Sequence, residues 1–138
     1  MTLVFFQKFN ENENLQKQLS LRFINEYKYP IKIDSGSFFT YDTTALSKEK
    51  FIFIVDNDKF GFIQADEDVV LLVRTKRKST KDGYSDLYKS KNHTLSLDVN
   101  RLKDLGNGRA EYTGTLNLAF GGSSKTVKIH GVVDNTVK

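Results

Sequence analysis

Residues 51–75 read FIFIVDNDKFGFIQADEDVVLLVRT, and this stretch decides the fold class. Phe51, Phe53 and Val55 alternate with Ile52 and Ile54; Phe60, Phe62 and Gln64 alternate with Gly61 and Ile63; residues 69–73 form a third apolar run. Asp56-Asn57-Asp58-Lys59 and Ala65-Asp66-Glu67-Asp68 separate the runs. Short β-branched and aromatic runs divided by turn-forming residues specify strands joined by hairpins. The first run is apolar on both faces, so it is expected to be covered on both. The result is an up-down-up meander. Its turn at residues 56–59 lies at the same end as the chain after Thr75, and its acidic turn at 66–68 lies at the opposite end.

Towards the N-terminus, residues 3–9 form a short apolar-aromatic run, expected to be a first strand. Residues 15–27 fit two templates. Leu15, Leu19, Phe23 and Tyr27 recur at helical spacing behind a capping Asn12. Leu19, Leu21 and Phe23 also alternate with Ser20, Arg22 and Ile24, which is strand spacing. Strand is favoured over residues 18–25, with one short helix near residues 12–25 as the other choice. Pro30, the only proline, suits a strand start or sheet edge. Phe38, Phe39 and Tyr41 read as extended chain, and residues 43–50 as a helical turn or loop.

Towards the C-terminus, residues 76–92 (KRKSTKDGYSDLYKSKN) are the longest polar stretch and are expected to be a long loop. Strand character returns where Leu95, Leu97 and Val99 alternate with Ser96 and Asp98. Gly106-Asn107-Gly108 is a turn, and residues 109–120 pair with 125–133 through Gly121-Gly122-Ser123-Ser124 as a hairpin. Eight or nine short strands without a crossover helix predict a mostly-β single domain over residues 1–138. The expected architecture is an antiparallel β-sandwich of jelly-roll or immunoglobulin-like type, with a closed β-barrel as the alternative.

The 138 residues suffice for one self-sufficient core. Lys plus Arg minus Asp plus Glu gives 21 − 17 = +4, a modest basic excess compatible with polyanion binding. The absence of cysteine excludes disulfides, thiolate catalysis and cysteine-ligated metal. Neither a signal-peptide core nor a membrane span is visible, so a cytoplasmic location is the default, with a removed leader left open.

Four constellations could carry chemistry. DNDKFGFIQADE (residues 56–67) places Asp56, Asp58 and Glu67 where a calcium-binding helix-loop-helix puts ligands, but Phe60 replaces an oxygen donor and the flanks are β-branched. A tight acidic turn is the preferred account. Gly121-Gly122-Ser123-Ser124-Lys125-Thr126 lacks the spacing and the following helix of a phosphate loop. His93 and His130, the only histidines, stand in no catalytic or metal-binding pattern. The best candidate site is the basic stretch Arg74, Lys76, Arg77, Lys78, Lys81, Tyr84, Tyr88, Lys89 and Lys91, which offers cations for phosphates and aromatic faces for bases.

Residues 112–118 (YTGTLNL) followed by residues 125–129 (KTVKI) resemble the closing hairpin of the YceI-type lipid-binding barrels, over about a sixth of the chain. That resemblance implies a barrel carrying an apolar ligand. The expected function is a non-enzymatic protein-protein interaction or assembly module without a cofactor, acting through a protein partner or self-association. The alternatives are a nucleic-acid-binding barrel using residues 74–91 and a carrier of lipid or another apolar ligand.

Overall fold

The computed structural model describes residues 17–24, 36–56 and 59–134. The elements are β1 (Leu21–Arg22), β2 (Gly36–Tyr41), a 3-10 turn (Leu46–Lys48), β3 (Phe53–Asp56), β4 (Phe60–Ala65), β5 (Asp68–Ser79), β6 (Gly83–Lys89), β7 (His93–Gly106), β8 (Arg109–Phe120) and β9 (Ser123–Asp134). Each of β2 to β8 pairs antiparallel with its successor in sequence, and β9 returns to β2. The closing seam runs from Ser37↔Val133 to Tyr41↔Ile129. The chain is therefore mostly β and antiparallel, as expected, but its eight strands close into a barrel rather than stacking as a sandwich. The physical reason is the uninterrupted order. A jelly roll or immunoglobulin sandwich needs strands that cross between two sheets, whereas here every connection is a local hairpin.

Strand β1 occupies the part of β4 that β3 leaves free, with Leu21↔Ala65 and Arg22↔Gln64. Residues 18–25 thus contain a two-residue strand where a longer one was expected, while Lys17 and Gln18 are helical. Leu19 and Phe23, which carried the helical spacing, are not helical, and no α-helix stands among the described elements. The expected first strand at residues 3–9, the helix portion at 12–16, the turn and strand at 25–35, and Asp58 lie outside the described residues.

Eight strands give an interior just wide enough for side chains to fill. Alternation supplies them: Phe39, Phe53, Ile63, Leu72, Tyr88, Leu95, Leu97, Leu116, Leu118 and Ile129 are completely buried in one cluster. Phe39 stacks on Phe53 at 6.3 Å between centroids, and Phe53 meets Tyr88 edge-on at 5.1 Å. Gly61 faces this ring cluster, since a Cβ there would stand 2.6 Å from Phe53 Cε1 and 3.3 Å from Tyr88 Cδ2. Ile54 and Phe62, on the outer face, are also buried at 8% and 1% exposure. The two-faced burial expected of the first run is present.

The two ends of the barrel differ. The lower end carries residues 42–52 and the turns at 66–67, 90–92 and 121–122. Residues 17–24 lie across it. The Tyr41 hydroxyl donates to the Leu21 carbonyl, Ile24 N–H donates to Phe51 O at 2.8 Å, and His93 Nε2 donates to Gln18 O at 3.2 Å. The upper end carries Lys59 and the turns at 80–82 and 107–108, together with the start of β2 and the end of β9. The meander turns fall at the ends expected of them.

Two glycines separate packing from backbone effects. Gly61→Ala must displace a core ring and is expected to cost about 1–3 kcal/mol. Gly122→Ala meets open space but sits at φ +85°, so its cost of roughly 1–2 kcal/mol comes from left-handed backbone alone. Denaturant unfolding of both variants checks this. Loss of fixed aromatic packing in near-UV circular dichroism should accompany only the first.

Candidate functional site

The polar stretch at residues 76–92 is not a loop. Residues 68–79 and 83–89 form the hairpin β5–β6, closed by Thr80-Lys81-Asp82. Thr80 N–H donates to Gly83 O at 3.0 Å, and Gly83 N–H donates to Thr80 Oγ1 at 3.1 Å. The polarity misled because a barrel strand needs only one face turned to the core, and here the inner face itself becomes polar toward the upper end.

A register shift between Arg74 and Lys76 determines which side chains turn inward. Before it Val70, Leu72 and Arg74 share the inner face; the extra residue flips the parity. Arg77 then pairs with Asp86, and Ser79 with Tyr84, on the inside. The nine residues expected to form one basic surface are thereby dispersed. Arg74, Arg77, Tyr84 and Tyr88 face inward, and Lys76, Lys78 and Lys89 face outward. Lys81 occupies the upper turn and Lys91 a lower one. Lys89 and Lys91 lie toward the same end as the acidic turn at 66–68.

What the structure brings together is an inward polar network near the upper end. Asp86, with a fully buried side chain, accepts from Arg77 Nε at 2.7 Å and Arg77 Nη2 at 2.8 Å. The Tyr88 hydroxyl donates to Asp86 Oδ2 at 3.1 Å. The Arg77 guanidinium lies 4.3 Å from the Tyr84 ring centroid, and Tyr84 packs on Tyr112 at 5.6 Å. Burial pushes the Tyr84 and Tyr88 hydroxyls above the ordinary tyrosine range, and the Asp86 carboxylate pushes both further up. Both stay protonated, so Tyr88 can serve Asp86 as a donor. Arg74, in register with Tyr88, has a buried Nη1 with no hydrogen-bond partner. Sequence reasoning missed Asp86 and Tyr112. The available signal was the period-two series Tyr84-Asp86-Tyr88 behind an Asp82-Gly83 turn, which marks a strand with a carboxylate on its tyrosine face.

Above this network lies a cleft of about 540 Å³ lined by Ser79, Thr80, Lys81, Asp82, Gly83, Arg101 and Tyr112. Arg101 N–H donates to Asp82 O at 2.8 Å, fixing the β5–β6 turn against β7.

The calcium-type loop is excluded by geometry. Asp56 ends β3 at the upper end, whereas Glu67 lies in the lower turn, and the strand β4 between them spans roughly 17 Å. Gly121-Gly122 is the tight two-residue turn of the β8–β9 hairpin, with φ of +57° and +85°. Among the described residues no group of three or more His, Asp or Glu converges as a metal site. No described helix is long and apolar enough to cross a membrane.

Both histidines are engaged. His130 Nε2 donates to Thr44 O at 2.6 Å, and its Nδ1 lies 3.5 Å from Glu111 Oε2 on the outer face. His93 is 4% exposed beneath residues 17–24 and packs on Phe120 at 4.8 Å. Burial lowers its pKa, partly offset by the Gln18 carbonyl.

No protein-family model, curated protein or solved structure matches the chain. What it can do rests on the geometry of this closed, eight-stranded, up-and-down barrel.

Two measurements follow from these contacts. Arg77→Met strands a buried carboxylate and should cost about 3 kcal/mol, whereas Arg77→Met combined with Asp86→Leu should recover most of that loss. Equal destabilisation of the single and double variants in urea would show that the pair itself stabilises. The second concerns His93, whose folded-state pKa lies below 6.5. The unfolded chain binds more protons between that value and 6.5, so stability is complete above 6.5 and falls as pH drops toward the folded-state pKa. His93→Gln keeps a donor for Gln18 and should flatten that limb of the Tm–pH curve; an unchanged slope assigns it to another group.

Proposed function

We propose that this barrel is a non-enzymatic protein-interaction module, and that its contact surface is the outer face of β4–β6. One observation carries this: Leu71 and Val73 stand 49% and 39% exposed, side by side on β5. Phe60 pairs with Val73 on one side, half-buried, and outward-facing Leu87 extends the patch on β6. Large apolar side chains grouped on a folded surface mark contact sites more often than isolated ones do. Lys59, Lys76 and Lys89 border them, with Lys59 Nζ 5.5 Å from the Phe60 ring centroid.

The lysine border selects the partner. A two-fold pairing of two copies through this face would set lysines against lysines, whereas a partner with carboxylates around an apolar anchor complements it. At Val73 the strand is paired on both edges, to Phe60 and to Lys89, so recognition there must use side chains. The other two functions fit less well. Single-strand binding by stacking would need exposed rings, but Tyr88 is completely buried and Tyr84 faces inward. An apolar cargo would need space that Phe39, Phe53 and Tyr88 already occupy at mid-barrel.

The test compares the wild-type chain with Leu71→Ser/Val73→Ser. The double variant should change folding stability by less than about 0.5 kcal/mol per site, since both side chains are surface-exposed. Wild type should retain an acidic protein partner in affinity capture, with retention weakened at high salt and lost in the variant. Identical capture profiles for the two chains, with both monomeric in sedimentation at low and high salt, would remove this function.

A further inference from the structure

We infer that the cleft at the upper mouth of the barrel is a binding site for an oxyanion, a phosphate or carboxylate group, held by Arg101 and Lys81. The site is independent of the lysine-bordered face on β4–β6. Its walls are built rather than incidental. The turn Thr80-Lys81-Asp82 is closed on itself by the Thr80–Gly83 hydrogen bonds and tied to β7 through the Arg101 amide and the Asp82 carbonyl. The cleft of about 540 Å³ is of the size that accepts a small organic molecule.

Charge supplies the chemical class. The lining holds two cations, Lys81 and Arg101, against one carboxylate, Asp82, and among the described residues none of these three side chains forms an ion pair. Tyr112 joins the cleft to the network behind it, through Tyr84 to Arg77. There the imbalance continues. The Asp86 carboxylate is engaged at both oxygens, by Arg77 and Tyr88, while Arg74 Nη1 is buried without a partner. A guanidinium cannot shed its proton to relieve this, so the inner face toward the upper end keeps a net positive potential. Potential from cations in and behind a concave polar site is focused at its mouth and favours an anion. Ser79 and Thr80 hydroxyls and the Tyr112 phenol add neutral hydrogen-bonding groups of the kind that complete oxyanion recognition.

The test is a titration of the full chain with inorganic phosphate and with pyrophosphate, followed by amide chemical shifts at constant ionic strength. Saturable shifts are expected at residues 79–83, 101 and 112. Arg101→Gln/Lys81→Gln should weaken binding about tenfold or more, while Lys91→Gln, at the opposite end, should leave it unchanged. Both positions of the double variant are exposed, so its melting profile should match wild type and report any failure to fold. A third arm with a short single-stranded oligonucleotide separates the sources of the phosphate. Competition with pyrophosphate at these residues assigns a polymer backbone, and its absence assigns a small molecule. Linear, non-saturating shifts, or equal affinity in wild type and the double variant, overturn the site.

Discussion

Closure of the strand order governs everything else in this chain. Once β9 pairs with β2, each of eight strands has two neighbours and every second side chain is committed to a lumen of fixed width. That lumen admits no choice at mid-height, where three aromatic rings and a ring of leucines and isoleucines fill it. Glycine at position 61 is a consequence of the same constraint, because the volume opposite Phe53 and Tyr88 is already taken.

The constraint relaxes toward the ends, and the ends take different solutions. Below, residues 17–24 cover the opening through backbone carbonyls that receive Tyr41 and His93. Above, the lumen turns polar. The β5 register shift rotates Arg77 inward to meet Asp86, and tyrosines shield the pair on its sides. One extra residue in one strand thus converts what would have been an external basic strip into an internal network. The outer face is left with lysines around an apolar patch, and the mouth with cations facing a cleft.

Much of the strand content was visible in period-two alternation. Residues 51–75 and the 109–133 hairpin form the strands and turns expected of them, and the two-faced burial of residues 51–55 followed from their composition. Closure was not visible, since alternation reports which faces are apolar and not which first and last strands meet. The candidate site was half legible. Its cations were recognised by composition, but a charged strand with a polar inner face looks like a loop when burial is inferred from hydrophobicity. Arg77 read only as a surface cation, with nothing to show that its guanidinium turns onto a buried carboxylate. Asp86, the buried carboxylate that its guanidinium meets, carried no signal until the hairpin was recognised.

The seam between β2 and β9 has a kinetic meaning. All other barrel pairings join neighbours in sequence and can zip from their turns, but Ser37 and Val133 must find each other across nearly the whole described chain. The entropy of closing that loop is lost before any contact across it repays the loss, which makes docking of the first strand onto the last a late event in folding. A chain stalled just before it would present two unpaired edges, one on β2 and one on β9, to any neighbour in the same state. Exchange of strands between copies during refolding is the hazard this topology carries.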